Sequence, residues 1–202
     1  MIKISEQNLW DEVRAGNKEA VEQLFDIYAD PMFAYGIKFI SDRELVKDCI
    51  QNLFLRLMVH YQHLSEVSNV KSYLLISLRH ELMRKIKQGH ALSFDEDEQL
   101  KFHMELATAE SMTEDATDDD TIRIKKVLTD ELMKLTHRQK EALYLRYVQE
   151  LPMSEIAVIM DMKNQSVRNL IHRAFQKLRE KSDLVKLPQS YIILLLTQLL
   201  SE

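Results

Sequence analysis

Apolar positions along this chain recur three and four residues apart, a helical spacing, and seldom alternate as a strand would. Val21, Leu24, Phe25 and Tyr28 form one such face, in a helix expected from about Lys18 to Tyr28 with Asn17 placed to cap it. Pro31 suits the start of a new helix carrying Met32, Phe33, Tyr35, Ile37 and Phe39. Ser41, with Glu44 three residues on, offers a capping box for the next one. There Leu45, Cys49, Leu53 and Leu57 stack, and Val46, Ile50 and Phe54 widen the stripe. The opposite face, Arg43, Lys47, Asp48, Gln51, Asn52 and Arg56, is polar and open to a partner. A polar stretch, SEVSN, then leads into VKSYLLISLRHELMRKIKQ, whose end is basic at Arg79, Arg84, Lys85 and Lys87.

The C-terminal pattern is more telling. Thr136 stands before a helix with Ala142, Leu143, Leu145 and Tyr147 on its apolar face. Next comes LPMSEIAVIMDMKNQSVRNLIHRAFQKLR. Ile156, Ala157 and Met160 share one face of a short helix, and Asp161 falls at a tight turn where a positive φ is often needed. Asn164 is placed to cap the second helix, with Val167, Leu170 or Ile171, Ala174 and Leu178 facing inward. Two short helices joined by a short turn make a helix-turn-helix. Asn164, Gln165, Ser166, Arg168, Asn169, His172 and Arg173 then point outward, with amide and guanidinium groups that can bond base edges, while Lys163, Lys177, Arg179 and Lys181 suit phosphates.

Composition supports an all-α chain: 202 residues hold only 3 Gly and 3 Pro, and 46% are hydrophobic. With a single cysteine, Cys49, on an apolar stripe, an internal disulfide is excluded and a core thiol is expected, which points to a reducing, cytoplasmic compartment. No apolar run reaches the roughly 18 residues of a membrane-spanning helix. Charge is unevenly spread. Residues 1–87 hold 12 basic and 12 acidic side chains, residues 88–120 hold Lys101 against 11 acids, and residues 121–202 hold 14 basic against 9 acidic. The acidic stretch reads as a linker, with a short helix possible from Glu98 to Ala109; a second reading is an acidic strip that covers a basic surface. Expected boundaries are therefore 1–88, 89–120, 121–182 and an apolar tail at 183–202. That tail, SYIILLLTQLL, either folds back onto one of the domains or docks a partner. His60 and His63 could supply two metal ligands, but without a neighbouring Cys or an HExxH pattern a surface role is expected and no metal is assigned. Hydrolase, nucleotide and dinucleotide motifs are missing from the sequence.

A helix-turn-helix at the end of the chain and a separate helical N-terminal part resemble bacterial sigma factors of the extracytoplasmic-function group, which keep only sigma domains two and four. DRELVKDCIQNLFLRLM is similar to that family's second conserved region, with Asp48, Gln51 and Phe54 at its characteristic positions. The resemblance implies that this helix, with Asn52 and Arg56, docks on core RNA polymerase. It also implies that VKSYLLISLRHELMRKIK melts the −10 promoter element, with the 61–71 loop before it capturing an unstacked base, through Tyr61, Lys71, Tyr73, Arg79, His80, Arg84, Lys85 and Lys87. The helix-turn-helix would then read the −35 element through Lys163, Asn164, Gln165, Ser166, Arg168, Asn169, His172, Arg173 and Lys177. Departures from the family are Tyr73 for a frequent Trp, His80 and Arg84 where Asn and Asp are usual, Leu170 for a common Arg and Asp161 for a common Gly. Implied partners are core polymerase, promoter DNA and an anti-sigma factor; neither a cofactor nor covalent catalysis by this chain is implied. Two other readings stay open from the residues alone: a helix-turn-helix regulator acting without polymerase, and an interaction protein whose basic helix is incidental.

Overall fold

The computed structural model describes residues 6–89, 102, 119–180, 184 and 187–201, and among these every regular element is helical. The chain divides into two compact units, Met1–Lys101 and Phe102–Glu202.

The first unit is built from α1 (Glu6–Arg14), α2 (Lys18–Gly36), α3 (Arg43–Val59) and α4 (Val70–Gly89), with a single 3₁₀ turn at Tyr61–His63. Helix α2 packs against α1, α3 and α4, and α3 packs on α4. Trp10, Leu24, Met32, Tyr35, Cys49, Leu74, Leu78 and Leu82 fill the centre. Asn17 caps α2 as its sequence position suggests, accepting from the backbone N–H groups of Glu19 and Ala20. Pro31 does not start a helix; α2 runs straight through it. An internal proline costs about 3 kcal/mol, but Tyr28, Met32 and Tyr35 all bury on one continuous face, and that packing offsets the cost. The cap of α3 is likewise shifted by one residue. Asp42, not Ser41, accepts from Glu44 N and Leu45 N, because a carboxylate serves the positive end of the helix better than a hydroxyl. Close contact of α2 with α3 depends on Gly36, where a Cβ would come within 2.5 Å of Val46 Cγ1.

The second unit holds α5 (Asp119–Met133), α6 (His137–Tyr147), α7 (Met153–Ile159), α8 (Asn164–Leu178) and α9 (Gln189–Ser201). Helix α8 packs on α5, α6 and α7 around Leu128, Leu132, Leu143, Ile156, Val167 and Leu178. Thr136 caps α6 in a complete capping box with Gln139. Of the two readings of the tail, folding back is what occurs: α9 packs on α6 and buries Ile192, Leu195, Leu196 and Leu199. Phe102 also belongs to this core. Its ring lies 5.6 Å from that of Tyr144, and its carbonyl accepts from His137 Nδ1 at 3.0 Å. The helix expected over Glu98–Ala109 otherwise lies outside the described residues. No helix among the described residues is long and apolar enough to cross a membrane.

Candidate nucleic-acid interface

The turn that leads from α7 into α8 is shaped by backbone hydrogen bonds. Met160 N and Asp161 N donate to Ile156 O and Val158 O, and Met162 N reaches Ala157 O at 2.8 Å. Asp161 sits at φ +51°, the left-handed conformation that its place in the turn requires. Asn164 does not cap α8; that position falls to Lys163, whose side chain bonds no backbone N–H there. Instead Asn164 lies in the first turn and its Oδ1 accepts from Arg168 Nε at 3.2 Å, while Gln165 Nε2 donates to Asn169 Oδ1 at 3.0 Å. Val167, Ile171, Ala174, Phe175 and Leu178 face the core, so Ile171, not Leu170, is the inward residue. The remaining face is left to solvent. Lys163, Asn164, Gln165, Ser166, Arg168, Asn169, His172, Arg173 and Lys177 are all exposed. Eight hydrogen-bonding or cationic side chains thus project from α8 and a ninth, Lys163, from its cap; an α-helix is of a width that a DNA major groove admits.

In the first unit the corresponding residues are split. His80, Arg84 and Lys87 are exposed along α4, and with Met83 and Gln88 they line a shallow groove. Lys71, Tyr73 and Lys85 are half-buried, as is Tyr61 in the 3₁₀ turn. Arg79 differs from these in its burial. It is only 4% exposed, and its Nη1 lies 3.2 Å from Met83 Sδ on the same helix. Tyr73 stacks at a tilt on Trp10, ring centroids 4.9 Å apart.

On α3, Asp48, Gln51, Asn52 and Arg56 are exposed. Phe54 is not. It is buried edge-on against Phe25, 5.1 Å between centroids, and so supports the surface from beneath. Two apolar residues take a place on that surface instead: Leu55 is 56% and Val59 is 68% exposed. With Asp48 and Asn52 they follow one helical stripe. Beneath lies Glu81, buried, with Arg56 Nη1 of α3 at 3.3 Å and Arg84 Nε of α4 at 3.3 Å. The Arg84 hydrogen bond, then that of Arg56, holds the Glu81 carboxyl below the usual carboxylate range against the opposing effect of burial.

The family described as Sigma-70, region 4 matches residues 132–180, the end of α5 through α8 and the residues just after it. Over 164 residues the chain is 25% identical to the ECF RNA polymerase sigma factor SigM of Bacillus subtilis, covering 79% of this chain and 93% of that one. Over 175 residues it is 22% identical to the ECF RNA polymerase sigma factor SigW of the same organism, covering 84% and 92%. Together these similarities support an extracytoplasmic-function sigma factor. The fold agrees with that of the sigma factor RpoE from Bartonella quintana, solved in complex with the anti-sigma factor NepR, at a TM-score of 0.50 and 17% identity over 83% of this chain and 98% of that one. In this chain, Leu55, Val59, Glu81 and Trp10 escaped the reading of the sequence. Exposed apolar residues at four-residue spacing beside a polar stripe are the signal for the first two; Trp10 gains its role, and Glu81 its second guanidinium, from neighbours distant in sequence.

Proposed function

We propose that this sigma factor uses the polar and apolar stripe of α3 to bind core RNA polymerase, α4 with its preceding loop to open the −10 element, and α8 to read the −35 element. The observation that supports the assignment best is the exposed set on α8, from Lys163 to Lys177, mounted on a rigid helix-turn-helix. Arg168 and Arg173 have the fork geometry for guanine, Asn164, Gln165 and Asn169 the amides for adenine, and Lys163 and Lys177 a charge for phosphates. A single such contact discriminates by only about 1–3 kcal/mol, so both promoter elements must be read together, on a polymerase that holds the two domains at once. At the −10 element, extruding a base costs a few kcal/mol, which stacking on Tyr61 or Tyr73 offsets, while His80, Arg84, Lys85 and Lys87 attract the backbone. Residues 1–88 serve as domain two, 89–120 as linker and 121–182 as domain four, followed by the tail. The work is binding and strand separation in the cytoplasm, with the covalent chemistry left to polymerase. An anti-sigma factor is the expected regulator, as the solved relative was crystallised with one.

Run-off transcription with core polymerase on fragmented genomic DNA tests the reading. New start sites that vanish on combining Arg168→Ala with Arg173→Ala are expected. Tight, specific DNA binding without polymerase, and no added transcripts with it, would turn the reading to a regulator that acts alone.

A further inference from the structure

The six residues between the 3₁₀ turn and α4, Leu64 to Asn69, belong to no helix, yet they are tied down along their length. Trp10 Nε1 of α1 donates to Ser65 O at 3.1 Å, and Arg14 Nε, one turn on, donates to Leu64 O at 3.2 Å. Arg14 Nη1 also meets the Glu66 carboxylate at 3.5 Å. At the entrance, Gly16, at φ +87°, lets the turn after α1 come so near Tyr61 that a Cβ would lie 2.8 Å from its ring. At the exit, Asn69 Oδ1 accepts from Ser72 N at 2.9 Å and starts α4. Two consecutive carbonyls therefore point at α1, and the side chains of Ser65, Glu66 and Ser68 are left exposed.

We infer that α1 is a positioning element for promoter opening: Trp10 and Arg14 hold the Leu64–Asn69 loop, through its carbonyls, in the shape that receives an unstacked base of the −10 element. The inference rests on the proposed role of this loop in strand opening. Its physical basis is pre-organisation. A segment ordered beforehand loses little freedom on capturing a base, whereas a free loop must be ordered at the moment of capture. Packing alone does not account for the arrangement. Trp10 is fully buried, and an apolar ring would fill its place, but the indole N–H meets a loop carbonyl 55 residues away. The half-exposed Arg14 likewise turns its guanidinium to the loop.

The test uses the holoenzyme of polymerase with this chain and two fluorescent single-stranded oligonucleotides: the non-template −10 sequence mapped by run-off transcription, and a scrambled version of equal length. Trp10→Phe keeps an aromatic ring, smaller than the indole, and removes the donor; Arg14→Met keeps most of the volume and removes the charge. The pair of substitutions is expected to weaken binding of the −10 oligonucleotide about tenfold, two lost hydrogen bonds' worth, with less than about twofold change for the scrambled one and for polymerase affinity. Amide exchange at Leu64 to Ser68 should accelerate in Trp10→Phe alone, a readout that does not depend on polymerase. An equal loss on both oligonucleotides, or unchanged exchange, overturns the positioning role. If the unsubstituted holoenzyme binds both oligonucleotides alike, the role of the loop in reading the −10 element fails, and this inference with it.

Discussion

Glu81 shows how much one residue can carry. Its carboxylate is buried and receives a guanidinium from α3 and another from α4. Because its folded pKa lies below the unfolded value of about 4.3, its contribution is present above that pH and is lost as pH falls through the lower, folded value. Glu81→Gln should cost the first unit about 1–3 kcal/mol near neutral pH, a deficit that shrinks on acidification; urea unfolding at pH 7 and pH 3 measures both. Equal deficits at the two values would show that the charge is not what holds the helices. On α8 the residues divide by chemistry. Arg168→Ala should relax base preference by about 1–3 kcal/mol at one position of the −35 element, whereas Lys177→Ala should weaken all sequences alike and lower the salt slope by about one. Titration of holoenzyme against a set of single-base promoter variants at several salt concentrations separates the two. Glu81 and Arg84 stand three apart on one helix and pair locally, but nothing in the sequence suggests that Arg56 shares the carboxylate, since that contact joins residues 25 apart.

Among the elements, the second unit depends on its last helix. α9 carries no charge at all and presents Ile192, Leu195, Leu196 and Leu199 to α6. Leu196 is fully buried, so Leu196→Ala should destabilise this unit by about 2–4 kcal/mol. Calorimetry should then show a lowered transition for the second unit with that of the first unmoved; a shift of both would mean that the units do not unfold independently. The apolar run of the tail was plain from the sequence, but which surface it covers was not, because hydrophobicity has no direction. Helix starts divide in the same way. Asn17 and Thr136 cap where local chemistry says they should, whereas Asp42 displaces Ser41 and α2 passes through Pro31, where continuous burial outweighs a local rule.

Taken as a whole molecule, the protein combines a basic C-terminal part with an acidic stretch in an acidic chain of net charge −5. Eleven acids against one lysine in residues 88–120 lower the potential felt by any approaching DNA. Replacing Asp95, Glu96, Asp97 and Glu98 by their amides should therefore raise non-specific DNA affinity of the polymerase-free chain several-fold at low salt, and hardly at all at 0.5 M salt, where screening acts within a few ångströms. Fluorescence anisotropy across a salt series measures it. An increase that persisted at high salt would assign those acids a direct contact instead of a field effect.

By itself the sequence determined the helical class, the helix-turn-helix, the exposed side of α8 and the polar side of α3, because each follows from local spacing and from the chemistry of neighbouring residues. Asp161 belongs here too: a short polar side chain at a tight turn tolerates the φ of +51° that it adopts. Only the tertiary structure decided that Arg79 is buried, that α9 covers α6, and that Trp10 and Arg14 hold a loop 50 and more residues away. Each of these depends on which surfaces meet, and a chain settles that through the total apolar area it can bury, a quantity no single window of residues contains.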